Sequence, residues 1–260
     1  MRNRAWPGAG VRLVLAVAAL QVGSRLPAHA APLRLVTELL PPFSYEEGGV
    51  VKGVATDVVR AAMAEAGVPY SLELLPWRRA LDTALHEKDV LIYSVARTPS
   101  REGQLVWVVR ICDRQLALYC LKERRDLLGH PLSELPGATF AVVQGDASVE
   151  LLHSLGVDDR NLHFVRDAAA PLASRHVLAG RSDFFICNPY RFPYLVKDTG
   201  LAARFQRHSL LAEAGGYFLA ANPGTDPEAI ARIRSAFAAL SARGTLQRIL
   251  KAALPPLAAP

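Results

Sequence analysis

Leu33-Arg34-Leu35-Val36-Thr37 alternates apolar and polar positions with period two, which predicts a strand. Pro41-Pro42 and Gly48-Gly49 follow as turns, and Asp57 to Met63 then carries the apolar spacing of a helix ending at Gly67. Asp57 is expected to cap that helix by accepting from its free N–H groups, and Gly67 to supply the left-handed stop. Tyr70 to Leu74 reads as the next strand. Arg78 to His86 places Ala80, Leu81, Ala84 and Leu85 at helical spacing, and Val90 to Val95 is a buried third strand. Strands alternating with helices imply a parallel sheet covered on both faces, with ligands beyond the C-terminal ends of the strands.

Between Val106 and Leu121 the rhythm changes, because WVVRIC and LALYCL are two extended segments with no helix between them, as where a chain crosses between lobes. The strand–helix pattern then restarts. Thr139 to Val143, Leu162 to Val165 and Asp183 to Cys187 read as strands; Ser148 to Leu155 and Leu172 to Ala179 read as helices. Tyr217 to Ala221 closes the series of strands. Pro227 to Leu240, with Pro227 at the first helical position behind Asp226, and Thr245 to Ala253 are helices separated by Gly244.

With 51% apolar and 21% charged residues over 260 positions, disordered, collagen-like and disulfide-scaffold classes are excluded. The net charge of +6 suggests a polyanion partner until its distribution is read. Arg2, Arg4, Arg12 and Arg25 lie in the first thirty residues, which hold no acid, so the remainder carries only +2. Nucleic-acid binding loses its compositional argument. Those thirty residues have the form of a targeting segment: a basic start, the uncharged run Leu13 to Val22, and Ala28-His29-Ala30 as a cleavage site. The run is about half the length that spans a bilayer. The expectation is a cleavable signal peptide over 1–30 and a soluble, monomeric, periplasmic mature protein.

Local enzyme and metal signatures are missing from the sequence. The three cysteines, Cys112, Cys120 and Cys187, form no C-x-x-C, no two of the seven histidines lie within four positions, and G-x-S-x-G, the phosphate loop and G-x-G-x-x-G do not occur. No cofactor is implied. An odd cysteine count allows one internal bridge at most.

Several segments occur jointly in the order of one family. They are Thr37-Glu38-Leu39-Leu40-Pro41-Pro42-Phe43, Gly53-Val54-Ala55-Thr56-Asp57, Leu74-Leu75-Pro76-Trp77-Arg78-Arg79-Ala80-Leu81 and Ser94-Val95-Ala96-Arg97-Thr98-Pro99-Ser100-Arg101. Gly145 after a strand, Gly180-Arg181-Ser182-Asp183, and Ala236-Phe237 to Gly244 complete the set. In these the chain resembles the periplasmic solute-binding proteins of polar-amino-acid ABC importers. The resemblance implies an α/β fold of two lobes, each a mainly parallel sheet with helices on both faces. Lobe 1 is expected over 31–112 and 214–260, lobe 2 over 113–213, with the ligand in the cleft between them.

The resemblance also implies site residues. Arg101 ends the S-x-x-x-T-x-x-R stretch of Ser94, Thr98 and Arg101, and a guanidinium fork there meets a ligand carboxylate with two parallel donors. Thr98 and the backbone near Ser94 would add neutral donors; Arg97 either reaches the cleft or faces solvent. Trp77 is either a cleft wall that stacks on the ligand or core. Gly145, Asp146 and Ser148 lie between a strand and a helix, where free N–H groups can receive an anion or Asp146 can cap. Asn188 stands where many amino-acid binders carry an aspartate for the ligand's ammonium, so either another carboxylate, Glu38 or Asp146, meets an ammonium, or the ligand has none. The implied function is non-enzymatic binding of a small carboxylate-bearing solute, an amino acid among the candidates, for an ABC permease. Two alternatives are a sensory role on a receptor kinase and an enzyme resembling cyclohexadienyl dehydratase, which would need a cleft proton-transfer group of tuned pKa.

Overall fold

The structure, a computed structural model, describes residues 32–166, 172–197, 200–211 and 215–257; the targeting segment read over 1–30 lies outside them. The chain opens with β1 (Leu33–Thr37), a hairpin of β2 (Tyr45–Glu47) and β3 (Val50–Lys52), α1 (Val54–Ala66), β4 (Tyr70–Leu74), α2 (Trp77–His86) and β5 (Val90–Ala96). Two long extended segments follow, β6 (Val106–Asp113) and β7 (Leu116–Leu121). The second α/β run comprises β8 (Phe140–Val143), α3 (Ser148–Ser154), β9 (Leu162–Val165), α4 (Leu172–Leu178), β10 (Phe184–Cys187), α5 (Phe192–Val196) and β11 (Phe205–Leu211). It returns through β12 (Gly216–Ala221) to α6 (Pro227–Ala242) and α7 (Thr245–Ala253).

Two five-stranded sheets result, ordered β4-β1-β5-β12-β6 and β11-β7-β10-β8-β9. Each sheet is mixed rather than mainly parallel. The βα units supply the parallel trios β4-β1-β5 and β10-β8-β9, whereas the crossing strands have no intervening helix and pair antiparallel: β12 with β5 and β6, β7 with β10 and β11. The first sheet defines lobe 1 and the second lobe 2 below. The two crossings run side by side, and Arg114 N donates to Gly215 O at 3.0 Å between them.

Both sheets are covered on both faces, and the period-two pattern separates the faces. Leu35, Leu91, Tyr93 and Leu219 pack with α1, α6 and α7, while Val36, Val90, Ile92 and Ala220 pack with Ala80 and Ala84 of α2. In lobe 2, Leu118, Phe140, Val142 and Phe184 face Leu152 of α3, while Ala117, Tyr119, Ala141 and Phe185 face Val177 of α4. Each fully buried Leu, Ile or Phe contributes about 1.5 to 3 kcal/mol.

The start of α1 differs from expectation. Asp57 does not cap it: the helix begins three residues earlier, behind Gly53, and Val54 N and Ala55 N donate to the Pro42 and Phe43 carbonyls at 2.9 and 3.0 Å. The loop after β1 thus supplies the cap that a side chain was expected to give. Gly53 is required there, with φ +121° and a position where a β-carbon would overlap the Phe43 carbonyl. Gly67 ends the helix in the left-handed conformation, as expected. Asp226 caps α6, accepting from Glu228 N at 3.0 Å behind Pro227.

Candidate functional site

Between the lobes lies a cavity of about 60 Å³. Lobe 1 contributes Glu38 from the loop after β1, Trp77 from the start of α2, Ser94 from β5 and Arg101. Lobe 2 contributes Asp146 and Ser148 at the start of α3 together with Asn188 and Arg191 between β10 and α5, while Arg114 comes from the crossing and Tyr217 from the returning strand. An outer chamber of about 420 Å³ shares Ala96, Arg114 and Ala147 with the cavity and is lined further by Arg97, Thr98, Glu150 and His153.

Local structure explains each position. Ser94 has φ +61° and no partner opposite it in β12, where Leu219 pairs with Tyr93 and Phe218 with Val95. It is the extra residue of a β-bulge, and it shifts the alternation so that Val95 joins Val90 and Ile92 on the α2 face. Its buried hydroxyl has no protein partner. Glu38 is fixed from behind: Ser44 Oγ donates to its carbonyl at 2.8 Å, and Thr37 Oγ1 donates to Tyr93 O at 3.2 Å.

Arg101 is buried, and its fork holds two backbone carbonyls, Ala96 O from Nη1 and Gly145 O from Nη2, both at 2.9 Å. The second bond crosses from lobe 1 to lobe 2. The Trp77 ring lies 4.9 Å from the Arg101 guanidinium carbon, and its Nε1 donates to the same Gly145 carbonyl at 3.4 Å. Trp77 is therefore a cleft residue, although its first partner is a protein cation. Thr98 is not in the inner cavity: it lines the outer chamber, its hydroxyl shared with Ser100 Oγ at 3.0 Å. Arg97 also lines that chamber, paired with Glu102 and 5.5 Å from the Trp107 ring. Gly145 enters through its carbonyl rather than as lining. Ser100 Oγ adds a further cross-lobe bond, to Glu150 at 2.6 Å, and Tyr190 Oη donates to Pro255 O at 2.8 Å.

At the head of α3, Asp146 takes the cap for itself: its Oδ1 accepts from Ser148 N at 2.7 Å and from Arg114 Nη2 at 3.1 Å. Ser148 Oγ is buried with no protein partner. Asn188 Oδ1 accepts from Tyr190 N at 2.9 Å and its Nδ2 reaches the Tyr217 hydroxyl at 3.5 Å. Glu38, Asp146 and Asn188 thus meet in one cavity. Arg114, Arg191 and Tyr217 were not singled out from sequence; the only signal for Arg114 was its place in the crossing.

The electrostatics follow from this crowding. Burial pushes the Glu38 carboxyl up to about 7, with Asp146 adding to the rise and Arg191, Arg101 and Arg114 opposing it. Burial acts on Asp146 in the same direction, yet the Arg114 charge, the hydrogen bond from Ser148 N and Arg101 together bring it below the ordinary carboxylate value. Burial lowers the Arg101 guanidinium and raises the Tyr217 phenol to about 12. Among the described residues, no group of three or more His, Cys, Asp or Glu could hold a metal ion, and no helix is long and apolar enough to cross a membrane.

Residues 33–255 match the model of the bacterial extracellular solute-binding proteins, family 3. The chain belongs to this family. No curated protein matches this solute-binding protein by sequence. Its fold is that of the two-lobed periplasmic binding proteins. It is similar to a histidine kinase sensor domain with similarity to periplasmic binding proteins, at TM-score 0.76 and 18% identity, covering 89% of this chain and 99% of that one. An ancestral arginine-binding protein bound to arginine gives TM-score 0.73 and 18% identity, covering 87% and 99%. The arginine-, lysine-, histidine-binding protein ArtJ from the thermophilic bacterium Geobacillus stearothermophilus gives 0.71 and 16%, covering 88% and 97%. At these identities the likeness is one of fold. Members of the family are extracellular or periplasmic, bind small ligands, and work with ABC permeases or sensor kinases.

Proposed function

We propose that this solute-binding protein takes a small carboxylate-bearing solute, without turnover, by closing its lobes about the paired crossings, and hands it as a monomer to an ABC permease in the periplasm. The carrying observation is the convergence of Arg101, Arg114 and Arg191 from three separate segments on one small cavity. A guanidinium matches a carboxylate geometrically, and closing the lobes withdraws the pair from water, where charge-assisted bonds gain strength. A ligand with higher affinity for the closed form shifts the population of lobes toward it, and the closed shape is what a permease reads. Residues 1–30 would serve as the export leader.

A thermal-shift screen of amino acids, polyamines and small organic acids tests this reading. A ligand at about a hundred times its dissociation constant stabilises by roughly 2.7 kcal/mol. Carboxylates should give the shift; a largest shift with polyamines would reject the reading. The sensor-domain neighbour favours a second reading, in which the closed form docks on a receptor kinase. A permease or a kinase gene beside this one distinguishes the two. Incubation with prephenate or arogenate should yield no product; product formation would replace binding with catalysis.

A further inference from the structure

Tyr190 belongs to the turn between β10 and α5 of lobe 2, yet its side chain is seated in lobe 1. The ring packs against the apolar core covered by α1, α6 and α7, which also takes up Cys112, Leu250 and Leu254 at its margin. Its Oη donates at 2.8 Å to the carbonyl of Pro255, in the tail that follows α7. Burial and, after it, the Cys112 thiol raise the Tyr190 phenol above its ordinary value, so the group keeps its proton and its donor role at neutral pH.

The same turn forms part of the cavity wall. Asn188 lines the cavity and organises the turn: its Oδ1 accepts from Tyr190 N at 2.9 Å, and its carbonyl accepts from Arg191 N and Phe192 N at 2.9 and 3.0 Å. Pro189, buried between the two residues, restricts the backbone there. Asn188 and Tyr190 are thus held as one piece, with one end facing the cavity and the other docked on the opposite lobe. Neither Tyr190 nor Pro255 lines the cavity or the outer chamber, so a solute in either leaves their contact in place. The Arg101–Gly145 bond, by contrast, uses a guanidinium that lines the cavity.

We propose that Tyr190 is a positioning residue for lobe closure: docked on the core and tail of lobe 1, it holds the Asn188 wall against the cavity and raises the closed population. The proposal rests on the closure reading above and is independent of the charge of the solute. Rotation about the crossings withdraws the ring from its seat and separates Oη from Pro255 O. Any solute that prefers the closed form then binds more tightly, because the protein itself carries part of the cost of closing. A single hydrogen bond of this kind changes the closed-to-open ratio by roughly two- to tenfold.

Alkylation of the three free thiols by N-ethylmaleimide, followed peptide by peptide in the full chain by mass spectrometry, tests the proposal. Cys187 lines the cavity and becomes accessible when the lobes part, whereas Cys120 is buried in the lobe 2 core and becomes accessible only when that lobe unfolds. Tyr190→Phe should speed the reaction of Cys187 about two- to tenfold and leave Cys120 unchanged. A chain ending at Leu254 lacks the acceptor and should show the same gain, to which Tyr190→Phe adds less than about twofold. Ser94→Cys combined with Cys187→Ser reports opening from the lobe 1 wall and should gain equally. A gain at Cys187 alone would mean that only the turn has loosened, and it overturns the proposal. An unchanged Cys187, an equal acceleration of Cys120, or fully additive effects of the two changes also overturn it. Lobe closure itself survives those results as long as Cys187 reacts faster than Cys120; equal rates for the two thiols in every chain would remove closure as well.

Discussion

Arg101 Nη2 donates to the Gly145 carbonyl oxygen at 2.9 Å, so one guanidinium spans the two lobes. The same group holds Ala96 O of its own lobe and stacks on Trp77. Lobe closure and the proposed carboxylate recognition therefore share a side chain.

Arg101→Ala should cost about 2 to 5 kcal/mol of carboxylate binding, since the desolvated anion loses its partner. The carboxylate-induced thermal shift should vanish while the unliganded transition moves by only a few degrees, because the carbonyls of Ala96 and Gly145 become open to water. An undiminished shift in the variant would remove Arg101 from the site.

Glu38 gives stability a pH dependence of definite sign. Its folded pKa of about 7 exceeds the ordinary 4.5, so across that interval the folded state holds more protons than the unfolded chain and stability falls as pH rises. The carboxyl is surrounded by protein but keeps a cavity-facing edge accessible, so the expected loss is about 1 to 3 kcal/mol. Melting curves of wild type and Glu38→Gln between about pH 5 and about pH 8 check this, with the variant's slope flatter. Parallel curves would show that the group titrates normally.

Asn222 serves the fold and not the site. Its Nδ2 donates to Ala84 O and Leu85 O at 2.9 and 3.0 Å, and its Oδ1 accepts from Gly224 N at 2.8 Å, so a loop after β12 caps the end of α2. Asn222→Ala strands those groups and should cost about 2 kcal/mol, roughly 4 to 8 °C of Tm, with ligand affinity unchanged. Unaltered Tm would mean that water replaces the amide without loss.

Cys112, Cys120 and Cys187 are all free thiols, so reductant should leave Tm unmoved. Burial pushes the Cys112 and Cys187 thiols up to about 12 and Cys120 up to about 11, which keeps them protonated and unreactive. Ellman's reagent should react slowly with native protein and release three equivalents after denaturation. Fewer equivalents would reveal a bridge.

The βα units were legible because their apolar positions repeat at two or about 3.6 residues: β1, β4, β9, α2 and α7 follow the expected spans within a residue. The β2–β3 hairpin was not, since its strands have three residues each and bury almost nothing, and α5 has only five residues. Strand β11 lies at a sheet edge, where Gln206, Arg207, His208 and Ser209 hide the alternation. Of the site, the sequence points to Arg101, Trp77, Ser94, Glu38, Asp146, Ser148 and Asn188, which line the cavity, and to Thr98 and Gly145, which do not. Arg114 and Arg191 were hidden by composition, because in an arginine-rich chain no local pattern marks an arginine that only tertiary folding brings inward.

The sheet order of lobe 1 also governs how the molecule assembles. Lobe 2 closes from the contiguous stretch Leu116 to Leu211, but β5 receives its second neighbour only from β12, more than a hundred residues later in the chain. Until Gly216 to Ala221 is in place, one edge of the most deeply buried strand stands open. Lobe 1 thus carries the higher entropic cost of loop closure. A chain truncated before β12 would present that edge, lined by Leu91, Ile92 and Val95, as a template for pairing between molecules, so aggregation rather than a half-active protein is the expected fate of the fragment.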